Sequence, residues 1–293
     1  MCCSAKYHPN IANTAAIKLV KKLLLKILIN IPYFLNDSEF IIRNSILSNF
    51  NFMRTIRGFF ADISVQTTKL SITDEYYNYF KNVLRLKKSD FIELFNNNDG
   101  LQYRTQIIDI NNKSILLDVI EKKEIHNENS YIVNIYQAII KNENFELIIQ
   151  KTTELGVNNI YPIITEYTNH KFDKKGFNKK LERWNKIAIS AAEQCERVFI
   201  PKIHTPVEIN TVRLSDNDMN ITLCPYSNTP DNFENLIKTH NNFNIFIGPE
   251  GGFSNEEMDL FKTKNFNTIN LGKRILKAET APINILSIIN FIK

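Results

Sequence analysis

The fold is decided by two segments near the end of the chain, IGPEGGFSNEE at Ile247–Glu257 and LGKRILKAETAPINIL at Leu271–Leu286. An apolar run typical of a strand precedes each segment, and a run typical of a helix follows it. Glycines in such a loop let the backbone approach a ligand closely. Neither segment holds the lysine motif of a phosphate loop or the glycine spacing of a dinucleotide site. Taken alone, the first segment fits a ligand loop and a plain glycine turn before a helix equally well.

The chain around these segments alternates strands and helices from about residue 130 to its end. Gly156 is expected to stop the first of these helices, and Thr280 to cap the last. This alternation predicts an α/β domain with a parallel sheet, in which ligands lie at the carboxyl ends of the strands. The predicted strands are 131–140, 159–165, 221–225, 244–247 and 268–271, and the predicted helices are 144–155, 179–199, 254–264 and 279–292.

The preceding part of the chain, from Met53 to about residue 123, shows short strands that predict a small barrel. The strand FIELF at Phe91–Phe95 is followed by the turn residues NNNDG and a second strand, LQYRTQIIDI, which together predict a hairpin. Another strand is predicted at 114–120. A helix is predicted at 74–83, with Tyr77, Phe80 and Val83 on one face.

The formal charge of +5 is unevenly distributed. Residues 1–52 hold six basic and two acidic side chains, a balance of +4, which leaves +1 for residues 53–293. RNA binding would therefore depend on a local patch rather than on the field of the whole chain. One set of basic side chains fits such a patch and a solvated surface equally well: Arg54, Arg57, Arg85, Lys87 and Lys88.

The four cysteines, Cys2, Cys3, Cys195 and Cys224, form no CxxC pair and no zinc spacing with histidine. We expect free thiols, no metal site and a reducing, cytoplasmic location. Residues 1–52 form a basic extension with an apolar run that is too short and too rich in lysine to span a bilayer, so no membrane partner is expected. Two interpretations remain for this extension: an organelle-targeting or membrane-surface helix, or a segment outside the functional protein, with translation starting at Met53. We favour the second.

The two glycine segments resemble the signature blocks of the ribosomal RNA small subunit methyltransferase E (RsmE) family. QKTTELGVNNIYPIIT at Gln150–Thr165, AAEQCER at Ala191–Arg197 and VLR at Val83–Arg85 are similar to further family segments. The resemblance extends from Met53 to the C-terminus. It implies a SPOUT-type α/β methyltransferase domain with a deep trefoil knot at 128–293. It also implies a small N-terminal PUA-like β-barrel domain that binds RNA at 53–125, and a homodimer.

The same resemblance implies an activity: S-adenosylmethionine-dependent methylation of N3 of uridine 1498 in 16S rRNA. We expect the substrate to be the rRNA within an assembled 30S subunit, and free rRNA is the alternative left open. Arg274 and Arg197 are the catalytic candidates. Each would hold an RNA phosphate or a uracil carbonyl and stabilise negative charge on the base, unless it forms an ion pair within the domain. The implied RNA-binding residues are Arg57, Arg85 and Lys277. The implied cofactor-binding residues are Thr165, Gly248, Glu250, Gly251, Leu271, Gly272, Ile275 and Leu276.

The sequence departs from the family pattern at three positions. Tyr167 and Thr168 stand where the family carries an arginine-serine pair, which weakens a substrate role for that loop. Lys277 replaces an arginine and keeps the charge but not the bidentate geometry. The general base is left open between Glu250 and solvent.

Two alternative functions remain. One is another SPOUT RNA methyltransferase, such as a ribose 2′-O-methyltransferase, and the other is a non-catalytic RNA-binding or ribosome-assembly protein. Cofactor binding would distinguish the non-catalytic protein from the methyltransferases.

Overall fold

The computed structural model describes residues 55–168 and 174–293, whose strands form two sheets. Both sheets lie within one compact unit, Thr55–Lys293. Both interpretations of residues 1–52, and the position of Arg54, lie outside the described residues. Within them, no helix is long and apolar enough to cross a membrane. The boundaries at 53–125 and 128–293, and the trefoil knot, stay predictions.

The first sheet contains five strands in the order β1-β3-β4-β5-β2, and only the β1–β3 pair is parallel. The predicted hairpin is confirmed, because β3 and β4 pair antiparallel on either side of the NNNDG turn. Asn96 Oδ1 forms this turn by accepting hydrogen bonds from the backbone N–H groups of Asn98 and Asp99. The strands are β1 (Arg57–Phe59), β2 (Lys69–Ile72), β3 (Phe91–Phe95), β4 (Leu101–Ile110) and β5 (Ile115–Glu124).

One helical segment packs on this sheet, and it differs from the predicted regular helix. An α-helix, α1 (Asp74–Asn78), continues as a π-helical turn over Tyr79–Val83. Tyr77 and Phe80 are buried as predicted, but Val83 is exposed. The wider turn, closed by the Leu84 N–H bonding to the Tyr79 carbonyl, moves Val83 off the shared face.

The second sheet contains seven strands, and all of its described pairs are parallel, which confirms the predicted α/β architecture. Its order is β12-β10-β11-β6-β7-β8, with β9 also pairing with β7. Two-residue strands such as β8 carry too short a pattern to be predicted. The strands are β6 (Ile132–Ala138), β7 (Asn159–Ile164), β8 (Lys202–Ile203), β9 (Val207–Glu208), β10 (Met219–Leu223), β11 (Asn242–Ile247) and β12 (Asn267–Ile269).

Helices connect the parallel strands and bury their apolar faces in the main core. Ile148, Trp184 and Ile285 are buried there, each from a different helix. Gly156 ends the first of these helices at a positive φ of 86°, as predicted. The helices are α2 (Asn142–Glu154), α3 (Lys174–Gln194), α4 (Phe233–Thr239), α5 (Asn255–Thr263) and α6 (Thr280–Ile292), with a 3-10 turn at Ile209–Thr211.

Two predicted helix ends are wrong. The prediction extended α3 to Phe199, but α3 ends at Gln194, and Glu196 follows in the left-handed region with a φ of 66°. This turn directs the chain so that Arg197 enters the interior. Thr280 does not cap α6, because the helix begins at Thr280 and Glu279 is the capping position.

The C-terminal end of α3 joins the first sheet to the second. The Glu193 carboxylate accepts hydrogen bonds from the Tyr76 hydroxyl at 2.7 Å and from the Phe59 N–H at 3.0 Å. Phe95, Ala192 and Val198 form a buried apolar cluster beside this contact. The small sheet is therefore fixed on the C-terminal end of α3 by both polar and apolar contacts.

Candidate functional site

A cavity of about 750 Å³ lies where three neighbouring strands of the parallel sheet end. The strands β10, β11 and β12 are adjacent in the order β12-β10-β11, so the loops that follow them meet at one edge. Each of these three loops lines the cavity. This is the edge at which ligands bind in parallel sheets, and both glycine segments reach it as predicted.

The loop after β11 is held by a capping box at the start of α5. The Ser254 hydroxyl accepts from the Glu257 N–H, and the Glu257 carboxylate accepts from the Ser254 N–H at 2.9 Å. The second carboxylate oxygen of Glu257 accepts from the Glu166 N–H at 2.9 Å, which ties the loop to the chain beyond β7. Glu257 was not among the predicted site residues, although the spacing Ser254-x-x-Glu257 is typical of a capping box.

Glycine is required at position 248 by the close approach of the same loop. A Cβ on Gly248 would lie 3.0 Å from the carbonyl carbon and 3.2 Å from the Cα of Gly252. These are backbone atoms, and the Gly252 N–H is held by the Pro249 carbonyl at 2.9 Å. A Cβ on Gly251 would lie 3.3 Å from the Cβ of Tyr167. The backbone of this loop is therefore packed tightly at the cavity wall.

Asn270 connects the loops that follow β10 and β12. Its Nδ2 donates to the carbonyls of Pro225 at 3.0 Å and Ser227 at 3.1 Å. Its Oδ1 accepts from the Gly272 N–H at 2.9 Å. One side chain thus uses both polar atoms to fix two walls of the cavity. The sequence pattern carried no signal for Asn270, since an asparagine after a strand most often marks a turn.

The interior and the rim of the cavity differ in chemistry. The interior is apolar: Leu223, Ile247, Ile269, Leu271, Ala278 and Ala281 are buried or half-buried. The rim is exposed and carries three cations and one carboxylate, a balance of +2. Its exposed members are Lys141, Pro225, Tyr226, Glu250, Gly251, Asn255, Arg274, Ile275 and Lys277.

These features fit a nucleoside-like ligand such as S-adenosylmethionine. The volume lies within the range of small-molecule and cofactor sites, roughly 300–1,000 Å³. An apolar interior suits a base, and the backbone groups of glycine loops supply hydrogen bonds to its edge without side-chain bulk. Glu250 on the rim offers an acceptor for hydroxyl or amino groups.

The cavity brings together most of the predicted cofactor-binding residues. Two of them do not line it. Thr165 is buried, and its hydroxyl is paired with the Thr168 hydroxyl at 2.8 Å. Gly272 supports the cavity wall indirectly, because its N–H donates to Asn270 Oδ1. The predicted residues that line the cavity are Gly248, Glu250, Gly251, Leu271, Ile275 and Leu276.

Two predicted RNA or catalytic residues lie at the rim. Arg274 is exposed there and forms no ion pair with Glu250, Glu279 or any other described residue. The alternative interpretation of Arg274 as an internal ion pair therefore has no support in residues 55–168 and 174–293. Lys277 is also exposed, and its Nζ lies 3.8 Å from the Glu279 carboxylate.

Arg197 is placed differently, and its position argues against the predicted catalytic role. It is only 5% exposed and does not line the cavity. The guanidinium forms a bidentate pair with Glu128, with distances of 2.7–3.2 Å, and donates to the carbonyls of Thr153 and Val157. These partners occupy its donors, so we reassign Arg197 from catalysis to the packing of the domain.

We expect Arg197→Ala to destabilise the fold by about 3–5 kcal/mol, because removing one partner of a buried pair leaves the other uncompensated. For a chain of this size this lowers Tm by on the order of 10 °C, which thermal unfolding measures. Arg183→Ala is the matched control, since Arg183 pairs with Glu146 on the surface and little change is expected. Equal Tm values for Arg197→Ala and the wild type would contradict the reassignment.

Arg57 and Arg85, both predicted to bind RNA, have opposite environments. Arg57 is buried, with its guanidinium 5.0 Å from the Phe95 ring centroid and Nη1 donating to the Ala192 carbonyl. Burial lowers the pKa of Arg57 from its usual value. This environment argues against an RNA contact, and we reassign Arg57 to the junction with α3. Arg85 is exposed and remains a candidate.

Two protein-family profiles match the chain. One, described as an RNA methyltransferase domain, covers residues 127–290. The other, described as an RNA methyltransferase PUA domain, covers residues 72–120. The first profile covers all of the second sheet, and the second covers the central strands of the first sheet. Together they confirm the α/β methyltransferase domain and the PUA domain that the sequence resemblance implied.

Two named relatives and one solved structure are also similar to this chain. Ribosomal RNA small subunit methyltransferase E of Buchnera aphidicola subsp. Schizaphis graminum is 39% identical over 217 residues, covering 73% of this chain and 87% of the relative. The protein of that name from Mesomycoplasma hyopneumoniae is 34% identical over 222 residues, with 74% and 91% covered. A methyltransferase structure from Legionella pneumophila with bound SAM has 32% identity and a TM-score of 0.72, covering 81% of this chain and 98% of the other.

Proposed function

The chain belongs to the ribosomal RNA small subunit methyltransferase E family, and on that basis we propose that it methylates small-subunit rRNA with S-adenosylmethionine as the methyl donor. The target is N3 of uridine 1498 in bacterial rRNA numbering. The observation that carries the proposal is the cavity formed by the loops after β10, β11 and β12.

The cavity residues would hold the cofactor through shape and backbone groups. When bound, S-adenosylmethionine supplies a methyl group activated by a positive sulfur. The apolar interior would exclude water around it, and the Gly248–Gly252 loop and the Leu271–Leu276 segment would fix its orientation. Alignment of the base nitrogen with the methyl carbon is the main source of rate enhancement, since a well-oriented pair reacts as one molecule.

Arg274 is the residue we assign to the RNA base. The N3 proton of uridine must leave before or during methyl transfer, and negative charge then spreads onto the neighbouring carbonyl oxygens. An exposed guanidinium on the rim, unpaired within the described residues, stabilises that charge. The proton passes to Glu250, which is exposed on the same rim, or to solvent.

RNA reaches the cavity across a locally basic rim. Lys141, Arg274 and Lys277 outnumber Glu250 there, and phosphate contacts by such cations position a nucleic acid without reading its sequence. Arg85 of the small domain adds a further exposed cation. We propose that the substrate is the rRNA within the assembled 30S subunit and that the enzyme acts in the cytoplasm.

A homodimer is supported by an unusual exposed residue on α6. Phe291 is 91% exposed, and it lines a groove with Ile288 and Ile292 from the same helix. The other residues of the groove, Glu234, Lys238, Asn284 and Ser287, are polar, and a surface that mixes apolar and polar side chains is typical of subunit interfaces. Because Ala281 of the same helix lines the cavity, a partner on α6 would lie near the site. A monomer in sedimentation experiments would contradict this arrangement.

The proposed function is tested by mapping modified nucleosides in small-subunit rRNA from cells that lack this protein. We expect the loss of a single N3-methyluridine, restored by the full chain and by residues 53–293 alone. An unchanged N3-methyluridine level would contradict the proposed target. Calorimetry with S-adenosylmethionine then separates another methyltransferase, which binds the cofactor, from a non-catalytic RNA-binding protein, which does not.

A further inference from the structure

Tyr226 is the most exposed aromatic residue on the rim of the cavity. It follows β10, and its side chain is 85% exposed although the residue lines the cavity. Single exposed aromatic residues are common on protein surfaces and need no explanation by themselves. Tyr226 differs because of its place at the proposed active site and because of the way its backbone is held.

The loop that carries Tyr226 is fixed on both sides of the residue. Asn270 Nδ2 donates to the carbonyls of Pro225 and Ser227, the two chain neighbours of Tyr226. The Ser227 hydroxyl donates to the Cys224 carbonyl at 2.9 Å, and the Cys224 N–H donates to the Ile269 carbonyl at 3.0 Å. The ring is therefore presented from a pre-ordered backbone, so binding against it costs little backbone entropy.

The exposure of the ring leaves it available to a ligand that arrives from outside the cavity. The interior surface that receives the cofactor is made of buried or half-buried aliphatic side chains such as Ile247, Ile269 and Leu271. An 85% exposed ring has few protein contacts and lies at the entrance, where Arg274 and Ile275 are also exposed. At this place it offers one flat aromatic face to the RNA side of the site.

An enzyme that methylates a base nitrogen must stabilise the target base outside its stack, and an exposed aromatic ring can do this. The target base must leave its stacked position to reach the cofactor, and this costs stacking energy. Aromatic side chains restore that energy by stacking on the displaced base. Among the described residues of the rim, Tyr226 is the exposed aromatic one.

We propose that Tyr226 is a positioning residue that stacks on the uracil ring of the target nucleotide and holds it over the cofactor. This inference rests on the proposed function, because it requires a uridine substrate. The stacking uses the π-face of the ring and does not involve the phenol hydroxyl. Arg274 then contacts the edge of the same base.

The test compares Tyr226→Ala, Tyr226→Leu and Tyr226→Phe in the full chain, with 30S subunits lacking the modification as substrate. We expect kcat/KM for methyl transfer to fall roughly 5- to 150-fold in Tyr226→Ala, the range that stacking of one base provides. Tyr226→Leu keeps apolar bulk without a π-face and is expected to be nearly as impaired. Tyr226→Phe keeps the ring and should match the wild type. Calorimetry should give the same Kd for S-adenosylmethionine in all four proteins, and because Tyr226 is exposed, thermal unfolding should not change.

Three outcomes would overturn the inference. Wild-type kcat/KM in Tyr226→Ala would show that the ring is not used. A loss in Tyr226→Phe as large as in Tyr226→Ala would assign the effect to the hydroxyl. A parallel loss of S-adenosylmethionine affinity would place the ring over the cofactor instead. A wild-type protein that binds the cofactor and methylates no uridine of the subunit would refute the proposed function itself, and the inference with it, so the two failures are distinguishable.

Discussion

Gly248→Ala is expected to weaken S-adenosylmethionine binding on the order of 100-fold, as measured by calorimetry. The new Cβ would lie 3.0 Å from the Gly252 carbonyl carbon, tighter than nine in ten real Cβ contacts. The clashing atoms belong to the backbone, and the turn is closed by the Gly252 N–H bonding to Pro249. The loop must therefore shift at the cavity wall. Forced overpacking costs about 1–3 kcal/mol, and the upper end corresponds to a Kd change of this size.

Gly252→Ala in the same loop is the matched control. Gly252 has a φ of 76°, which an alanine adopts at a cost of about 1–2 kcal/mol, but a Cβ there meets no atom within 4 Å. We expect a small loss of stability and a much smaller change in cofactor affinity than in Gly248→Ala. If both variants weaken binding equally, the close packing of Gly248 is not what shapes the site. Circular dichroism of both variants verifies that the fold is retained.

Arg274→Ala is expected to lower kcat for methyl transfer by about 100- to 1,000-fold, the effect of removing one donor that stabilises developing charge. Arg274 is exposed on the rim and has no ion-pair partner among the described residues, so its removal leaves no buried charge behind. The Kd for S-adenosylmethionine should stay close to the wild-type value. The rate is measured in single turnovers at saturating cofactor with the small subunit as substrate.

Lys273→Ala provides the control for charge alone. Lys273 is the chain neighbour of Arg274, is exposed, and is not among the residues that line the cavity. Its loss removes the same unit of charge, and we expect only a modest change in the affinity for RNA and its salt dependence. Unchanged methylation by Arg274→Ala at saturating cofactor would remove Arg274 from the mechanism. Equal rate losses in both variants would assign the effect to net charge rather than to position.

Arg197 and Arg274 show what a sequence pattern leaves undecided. Both arginines lie within segments similar to family blocks, and the sequence pattern left the same two interpretations open for each. The structure separates them, because the chain turns at Glu196 and carries Arg197 inward to Glu128. Glu128 lies 69 residues away along the chain. A partner at this distance produces no periodicity that a local pattern can reveal.

Dependence on partners far away in the chain also explains why some residues that shape the cavity were not predicted. Asn270 acts through carbonyls more than 40 residues away, on the loop after β10. Tyr226 is on that loop, and no motif marks it. Thr165 was predicted on the site because it ends the predicted strand 159–165, but its hydroxyl pairs with Thr168 three residues later. Which side chains face a cavity depends on which loops meet there.

The sequence by itself determined the alternation of strands and helices, the parallel α/β architecture, the hairpin at NNNDG and the two glycine loops. Each of these depends on local physics: apolar periodicity, glycine conformations and turn chemistry act within a few residues. Only the tertiary structure decided that the loops after β10, β11 and β12 share one cavity, that Arg57 and Arg197 are buried, and that Tyr226 and Arg274 face solvent at its rim. Those outcomes depend on the order β12-β10-β11, which brings segments far apart in the chain to one edge of the sheet.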